Sequence, residues 1–162
     1  MRHWKLKNKF AWTIAWLVSP LFFFGCSTWR FAPEKDDVTA KQFALIPGKV
    51  SVYVYRADST NAQPLTLAMG ERHHLPDEIF IKPLCWLYPN TFLNFEVLEG
   101  TYQLMGIKEG PGRIKFADML IGLRPDQLYF FKMDDRGLVR VMEPEGKLAV
   151  QQCRLVKGQY HE

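Results

Sequence analysis

The sequence predicts an all-β fold, a sandwich or a small barrel, from three observations. From Lys49 onward, apolar residues recur at every second position in several short segments, which is the period of a half-buried strand. These segments are rich in Val, Tyr and Phe, and turn residues stand between them. No long segment has the period of a helix. The five clearest segments are KVSVYVYR (49–56), LTLAM (65–69), TFLNFEVLEG (91–100), QLYFFKM (127–133) and LVRVME (138–143).

The alternation assigns each predicted strand two faces, because successive side chains point to opposite sides of a sheet. The first face takes Val50, Val52 and Val54; Leu65, Leu67 and Met69; Leu93, Phe95 and Val97; Tyr129, Phe131 and Met133; and Val139 with Val141. The second face takes Ser51, Tyr53 and Tyr55; Phe92, Asn94 and Glu96; Leu128, Phe130 and Lys132; and Arg140. We expect an Asp at Leu93, Phe95 or Tyr129 to unfold the domain.

The strongest helix candidate is short and lies near the C-terminus, over residues 145–153. Pro144 fits its first turn. Residues 27–47 show no sustained period and contain Pro33 and a charged run at 34–37, so we interpret them as a tether. The other interpretation starts a first edge strand within 43–46 and ends the tether near Thr39.

The N-terminus has the three parts of a secretion signal. Residues 1–10 carry four basic residues and no acid, an apolar stretch runs from Ala11 to Phe24, and small residues follow. The stretch is shorter than the roughly 20 residues that a spanning helix needs, and Pro20 interrupts it. We therefore predict a signal peptide over residues 1–25. An uncleaved anchor and a buried helix are the other interpretations.

The end of the apolar stretch, LFFFGC at residues 21–26, resembles the lipobox of bacterial lipoproteins. Gly25 and Cys26 match its last two positions, whereas Phe23 and Phe24 depart from the usual Leu and small residue. The resemblance implies that Cys26 is lipidated and becomes the new N-terminus. Several acyl chains together, palmitate among them, would anchor it firmly. Ser27, where an Asp would imply retention in the inner membrane, implies the outer membrane, facing the periplasm. Ordinary cleavage after Ser27 also stays open.

Removing the leader balances the charge of the chain. The 21 Lys and Arg residues fall by four to 17, equal to the 17 Asp and Glu residues, none of which precedes Cys26. A chain without net positive charge is not expected to bind nucleic acid. The remaining chain has the length of one domain. We divide it into the lipidated Cys and tether at 26–47 and the β domain at 48–162.

Three short motifs in order resemble a family of small bacterial lipoproteins that carry a domain of unknown function. The motifs are Tyr53-x-Tyr55-Arg56, Gly100-x-Tyr102, and Gln127-x-Tyr129-Phe130, with Asp126 where the family has Gly and Glu99 where it has Pro. The resemblance covers roughly residues 47–156. It implies an immunoglobulin-like or transthyretin-like β-sandwich, and it implies no reaction and no catalytic residues.

Three clusters invite a sharper functional interpretation. ERHHLPDE, residues 71–78, holds His73 and His74 among three acids, but neighbouring strand residues point apart and no HExxH is present, so a solvated loop is favoured over a metal site. KEGPGR, residues 108–113, lacks the spacing of a phosphate-binding loop, and we interpret it as a turn. Asp134-Asp135 also sits where turns favour Asp.

Two cysteines remain in the domain, Cys85 and Cys153. An oxidising compartment permits a disulfide between them, and two buried thiols are the other interpretation. We expect neither a cofactor nor a metal.

The sequence therefore favours a membrane-anchored, non-enzymatic envelope module, structural or protein-binding. Its contacts with another envelope protein would use strand edges or exposed aromatics such as Phe80, Trp86 or Phe92. The second hypothesis is a periplasmic small-ligand binder or hydrolytic enzyme with a site near His73 and His74.

Overall fold

The computed structural model describes residues 31–57, 63–72, 79–108 and 114–158. These residues form nine strands and two short helices, so the chain is mostly β, as predicted. In chain order the elements are α1 (Glu34–Ala40), β1 (Val50–Arg56), β2 (Leu65–Arg72), β3 (Ile79–Leu87), β4 (Thr91–Val97), β5 (Gly100–Lys108), β6 (Ile114–Leu123), β7 (Gln127–Asp134), β8 (Gly137–Val141), α2 (Glu143–Gln152) and β9 (Arg154–Leu155).

The strands form two sheets. Sheet 1 has the order β8-β7-β1-β4-β9, and sheet 2 has the order β3-β2-β5-β6. In sheet 1, β1 pairs antiparallel with β4 and parallel with β7, with Val52 opposite both Phe95 and Tyr129. The pairings in sheet 2 are all antiparallel. The two sheets share one core, which makes the architecture a β-sandwich.

The core between the sheets consists of the face that alternation predicts. Val50, Val52 and Val54 of β1 are buried there with Leu93, Tyr129 and Phe131 from sheet 1. Leu65, Leu67 and Leu104 enter from sheet 2. The exception is β8, where Leu138 enters the core and Val139 is 58% exposed.

A second apolar cluster lies on the opposite face of sheet 1, under the two helices. Tyr53, Phe92 and Phe130 from the sheet pack there with Val150 of α2 and with Phe43. Tyr53 stacks on Phe130, with ring centroids 5.0 Å apart, and Phe43 meets Phe130 edge-on at 5.8 Å. Sheet 1 is thus covered on both faces, so its central strand β1 is buried along its whole length.

The C-terminal helix is confirmed, two residues earlier at its start than predicted, with Pro144 in its first turn. The tether predicted for residues 27–47 is not an extended linker between Phe31 and Pro47. It contains α1, and both Ala32 and Phe43 pack in the cluster under the helices. No strand forms over 43–46, because Phe43 has a positive φ of 53° and the two residues 45 and 46 are exposed.

Candidate functional site

One edge of sheet 1 is only half occupied. Among the described residues, β9 is the strand that follows β4 in the sheet, and its ladder covers only Thr91 and Phe92. The rest of β4 has β1 on one side and no described strand on the other. We call the open side of Asn94–Val97 the β4 edge.

The backbone groups at the β4 edge are oriented for pairing. Arg154 N donates to Asn90 O and Val156 N donates to Phe92 O, both at 2.9 Å, so even-numbered residues of β4 direct their amide groups toward β9. Backbone groups of alternate residues point the same way along a strand. Asn94 and Glu96 therefore direct their N–H and C=O groups out of the β4 edge.

A cavity of about 440 Å³, which we call the inner cavity, opens beside the β4 edge, and β3, residues 155–158 and the start of the α1 segment help to line it. Phe95 and Val97 line it from β4, and Met69 and Leu84 line it from sheet 2. All four pack against the main core while staying partly exposed. The inner cavity is thus an apolar extension of the core that reaches the surface.

A second cavity, of about 310 Å³, lies on the outer side of the same edge, beneath α1 and the segment that follows it. Ala44, Ile46 and Tyr53 line it. The Tyr53 hydroxyl donates to Ala40 O at 3.0 Å. Burial, followed by the nearby Glu96 carboxylate, raises the pKa of Tyr53 to about 12, so this hydroxyl stays a donor at neutral pH. Asn94 and Glu96 line both cavities and form the ridge between them.

The charges around the inner cavity balance. Lys82 and Lys157 stand against Asp36 and Glu96 in its lining. Glu96 also forms an ion pair with Lys49, whose Nζ lies 3.1 Å from Glu96 Oε2. A balanced rim gives no preference for a strongly charged ligand.

Local interactions on its far side hold β9 in place. The far side of β9 is occupied, because Ala32 N donates to Leu155 O at 3.0 Å and Leu155 N donates to Asp37 Oδ1 at 2.7 Å. Asp37 is itself held by Lys41 Nζ at 2.7 Å. These bonds tie β9 to α1 over the first half of β4, and no ladder continues past Phe92 among the described residues.

Asp134 and Asp135 serve the β7–β8 turn. Asp134 Oδ1 accepts from Arg136 N at 2.8 Å and from Gly137 N at 3.2 Å, which is turn chemistry as expected. Asp135 Oδ1 lies 3.5 Å from Arg56 Nη2. The two carboxylates therefore hold different partners.

Cys85 and Cys153 are free, buried thiols in the structure. Cys85 lies in the core between the sheets, and Cys153 lies in the cluster under the helices, on the opposite face of sheet 1. Cys153 Sγ contacts Arg56 O at 3.8 Å. Burial raises the pKa of both thiols, that of Cys153 to about 11.

We expect both thiols to be unreactive in the native protein. A Cys26→Ser variant, which retains only these two cysteines, should yield about two titratable thiols in denaturant without reductant and almost none when folded at pH 8. The reason is that the thiolate is the nucleophile and is scarce well below the raised pKa. Alkylation of native protein should accelerate as the pH rises toward 11. Zero thiols in denaturant would demonstrate a disulfide instead.

The other sequence candidates divide between described and undescribed residues. His73, His74, Asp77, Glu78 and the 109–113 turn lie outside the described residues, as do Cys26 and the leader. The Phe80 side chain also lies outside the described part of the structure. Phe92 is fully buried under the helices, so its expected exposure is wrong, whereas Trp86 is 46% exposed on the outer face of sheet 2.

No group of three His, Cys, Asp or Glu side chains is placed to hold a metal ion within 31–57, 63–72, 79–108 and 114–158. In that same part of the chain, no helix has the length and apolar character to cross a bilayer.

Comparison of the chain with protein-family models, with curated proteins and with solved structures found no match in any of the three.

Proposed function

We propose that the protein is a lipid-anchored module of a bacterial cell envelope that binds another envelope protein and is not an enzyme. The observation that carries the binding role is the β4 edge, which has two cavities beside it and no pairing strand past Phe92 within 31–57, 63–72, 79–108 and 114–158. Open strand edges recruit partner strands through backbone hydrogen bonds. The edge is short and walled, which guards against the sheet-to-sheet aggregation that long flat edges promote.

The anchoring role rests on the sequence. The basic start, the short apolar stretch and Gly25-Cys26 support lipidation of Cys26 and location at the outer membrane, facing the periplasm. Phe31 and Ala32 already pack on the sandwich, so only a few residues separate Cys26 from the folded domain. The domain would therefore sit close to the lipid surface.

We also propose an immunoglobulin-like or transthyretin-like subclass of sandwich, with membership of the lipoprotein family that the three motifs resemble. The Tyr102 hydroxyl donates to Leu98 O, four residues upstream, at 3.1 Å. A Tyr at the start of a strand that bonds a nearby upstream backbone group is the tyrosine corner of immunoglobulin-like domains. Tyr102 belongs to the Gly100-x-Tyr102 motif, so the motif and this contact support the same subclass.

Replacing Cys26 with serine should abolish lipidation, because no thioether can form at a hydroxyl. Cells fed an alkyne palmitate analogue should label the wild-type protein and leave Cys26→Ser unlabelled, and only the wild type should float with membranes. Cys85→Ser is the matched control and should label normally. Equal label in wild type and Cys26→Ser would refute the anchoring proposal.

A further inference from the structure

We infer that the second cavity, the one beneath α1, binds a primary alkylammonium group. We call it the outer cavity; its volume is about 310 Å³. The ammonium group is carried either by a small amine or by a lysine side chain of another protein. It lies beside Ser51, Asn94 and Glu96 on the outer face of sheet 1, and the site does not depend on strand pairing at the β4 edge.

Ser51 gives the outer cavity a buried hydroxyl group. This residue is 2% exposed, and it lines the cavity from β1. Within the described part of the chain, the Ser51 hydroxyl makes no hydrogen bond. The large majority of buried polar side-chain atoms in native proteins have a hydrogen-bond partner, so this hydroxyl points to a ligand that supplies one.

Three other polar groups that line the cavity donate their protons to backbone carbonyls. The Tyr53 hydroxyl donates to Ala40 O at 3.0 Å, and Thr39 Oγ1 donates within α1 at 2.8 Å. Asn94 Nδ2 donates to Val52 O at 3.4 Å. Each group keeps an oxygen with lone pairs, so it offers a ligand an acceptor.

The charge around the outer cavity is negative. Asp36 of α1 and Glu96 of β4 contribute carboxylates, and no Lys or Arg is among the described residues that line it. Ser51 is opposite Glu96 in the β1–β4 ladder, so the two side chains stand next to each other on one face. Lys49 Nζ lies 3.1 Å from Glu96 Oε2, which shows that this carboxylate accepts an ammonium group. Two carboxylates against one lysine leave a net negative charge.

An ammonium group matches this lining. It carries a positive charge, three N–H donors and no acceptor, whereas a hydroxyl carries one donor and a carboxylate carries none. The alkyl chain behind the ammonium lies against the apolar surface of Ala44, Ile46 and Leu155. The volume of about 310 Å³ is near the lower end of the range for ligand pockets, about 300 to 1,000 Å³, which favours a short chain.

Isothermal titration calorimetry of butylammonium chloride into the full-length protein in detergent tests the site. We expect saturable binding, and none from butan-1-ol or butyrate at equal concentration, because these ligands share the chain and lack the cation. The peptide acetyl-Gly-Lys-Gly-amide separates the two sources. Binding at least as tight as that of butylammonium assigns the group to a lysine of a protein, and weaker binding assigns it to a free amine. Either result supports the site.

Four variants should give the binding a distinctive pattern. Ser51→Ala removes the buried hydroxyl and should weaken butylammonium binding about threefold or more, and Glu96→Gln should weaken it about tenfold. Lys49→Gln removes a competing ammonium and should strengthen binding about threefold or more. Glu99→Gln, at an exposed acid outside the cavity lining, is the matched control and should bind within about twofold of wild type.

The Glu96 and Lys49 variants should still fold. The ion pair that they remove is partly exposed, and such pairs contribute little to stability. Thermal unfolding of each variant checks that the change in affinity is not a loss of structure. Ser51→Ala provides an independent measurement, because it leaves this ion pair in place.

Several outcomes would overturn the inference. These are a lack of saturable butylammonium binding, equal binding of butan-1-ol, unchanged affinity in Ser51→Ala and Glu96→Gln, no gain in Lys49→Gln, or saturable binding of Ca²⁺ that displaces butylammonium. The last would assign the acceptors to a metal ion. Palmitate-analogue labelling does not depend on the outer cavity, so the anchoring proposal is tested separately.

Discussion

Replacing Arg56 with alanine is expected to lower the free energy of unfolding by about 3 to 5 kcal/mol, a large fraction of the stability of a domain this size. The Arg56 side chain is fully buried at the end of β1. Its Nη1 donates to Gln63 O and to Leu87 O, and its Nη2 faces Asp135 Oδ1. One guanidinium therefore joins β1 of sheet 1 to one end of the β2–β3 pair, where β2 begins and β3 ends, and to the β7–β8 turn.

The electrostatics at Arg56 agree with a structural role. Burial lowers the pKa of Arg56, and the carboxylates of Asp135 and Asp134 oppose that shift. Alanine leaves a cavity as well as carbonyl groups without this donor. Lysine should recover only part of the loss, because an ammonium lacks the planar fork that reaches several acceptors at once.

Urea unfolding of wild type, Arg56→Ala, Arg56→Lys and Arg140→Ala measures the effect. Arg140 is the matched control, since it is an exposed residue of the outermost strand β8, with its guanidinium 4.6 Å from the Tyr129 ring centroid. Its loss should cost about 1 kcal/mol or less. If Arg56→Ala were no more destabilised than Arg140→Ala, the role of Arg56 in joining the sheets would be wrong.

Substituting Gly146 with leucine is expected to detach α2 from sheet 1. A Cβ at Gly146 would overlap Cβ and Cγ of Phe130, and the Phe130 ring is confined between Tyr53 and Phe43. Alanine should already cost about 1 to 3 kcal/mol through overpacking, despite a helix propensity about 1 kcal/mol better than that of glycine. Leucine should displace the helix and expose Cys153, which ends it.

The alkylation rate of Cys153 at pH 8, read together with thermal unfolding, tests this prediction. Gly146→Leu should raise the rate well above that of wild type. Leu148→Ala lies in the same helix at a side chain that is 63% exposed, and should change stability by no more than about 0.5 kcal/mol. A Gly146→Leu protein that melts like wild type, with Cys153 still protected, would show that α2 does not pack closely at Gly146.

The strand faces could be predicted because they follow from a local period. Alternation assigned Val52 and Tyr53 to opposite faces, and the structure buries them in different clusters. Among the strands absent from the five predicted segments, β3 and β6 lie where the period is broken. In β3, Pro83 interrupts the pattern, and the register with β2 shifts beside it. In β6, Leu120 is 58% exposed, so apolar residues occupy both faces.

The β4 edge and α1 could not be predicted, because both depend on contacts between distant parts of the chain. In the described part of the chain the β9 ladder ends at Phe92, which no pattern within β4 reveals. The helix α1 has no buried residue of its own. Its position follows from Asp37, which accepts from Leu155 N 118 residues away.

The parallel pairing of β1 with β7 fixes when the protein is able to fold. Val50 lies beside Gln127, and the intervening chain forms β4 of sheet 1 and all of sheet 2. Closing such a long loop is entropically costly, and folds dominated by distant pairings form slowly. A growing chain that has not yet reached Asp134 has no neighbour for one side of its central strand. Sheet 1 should therefore stay incomplete until synthesis has passed Asp134.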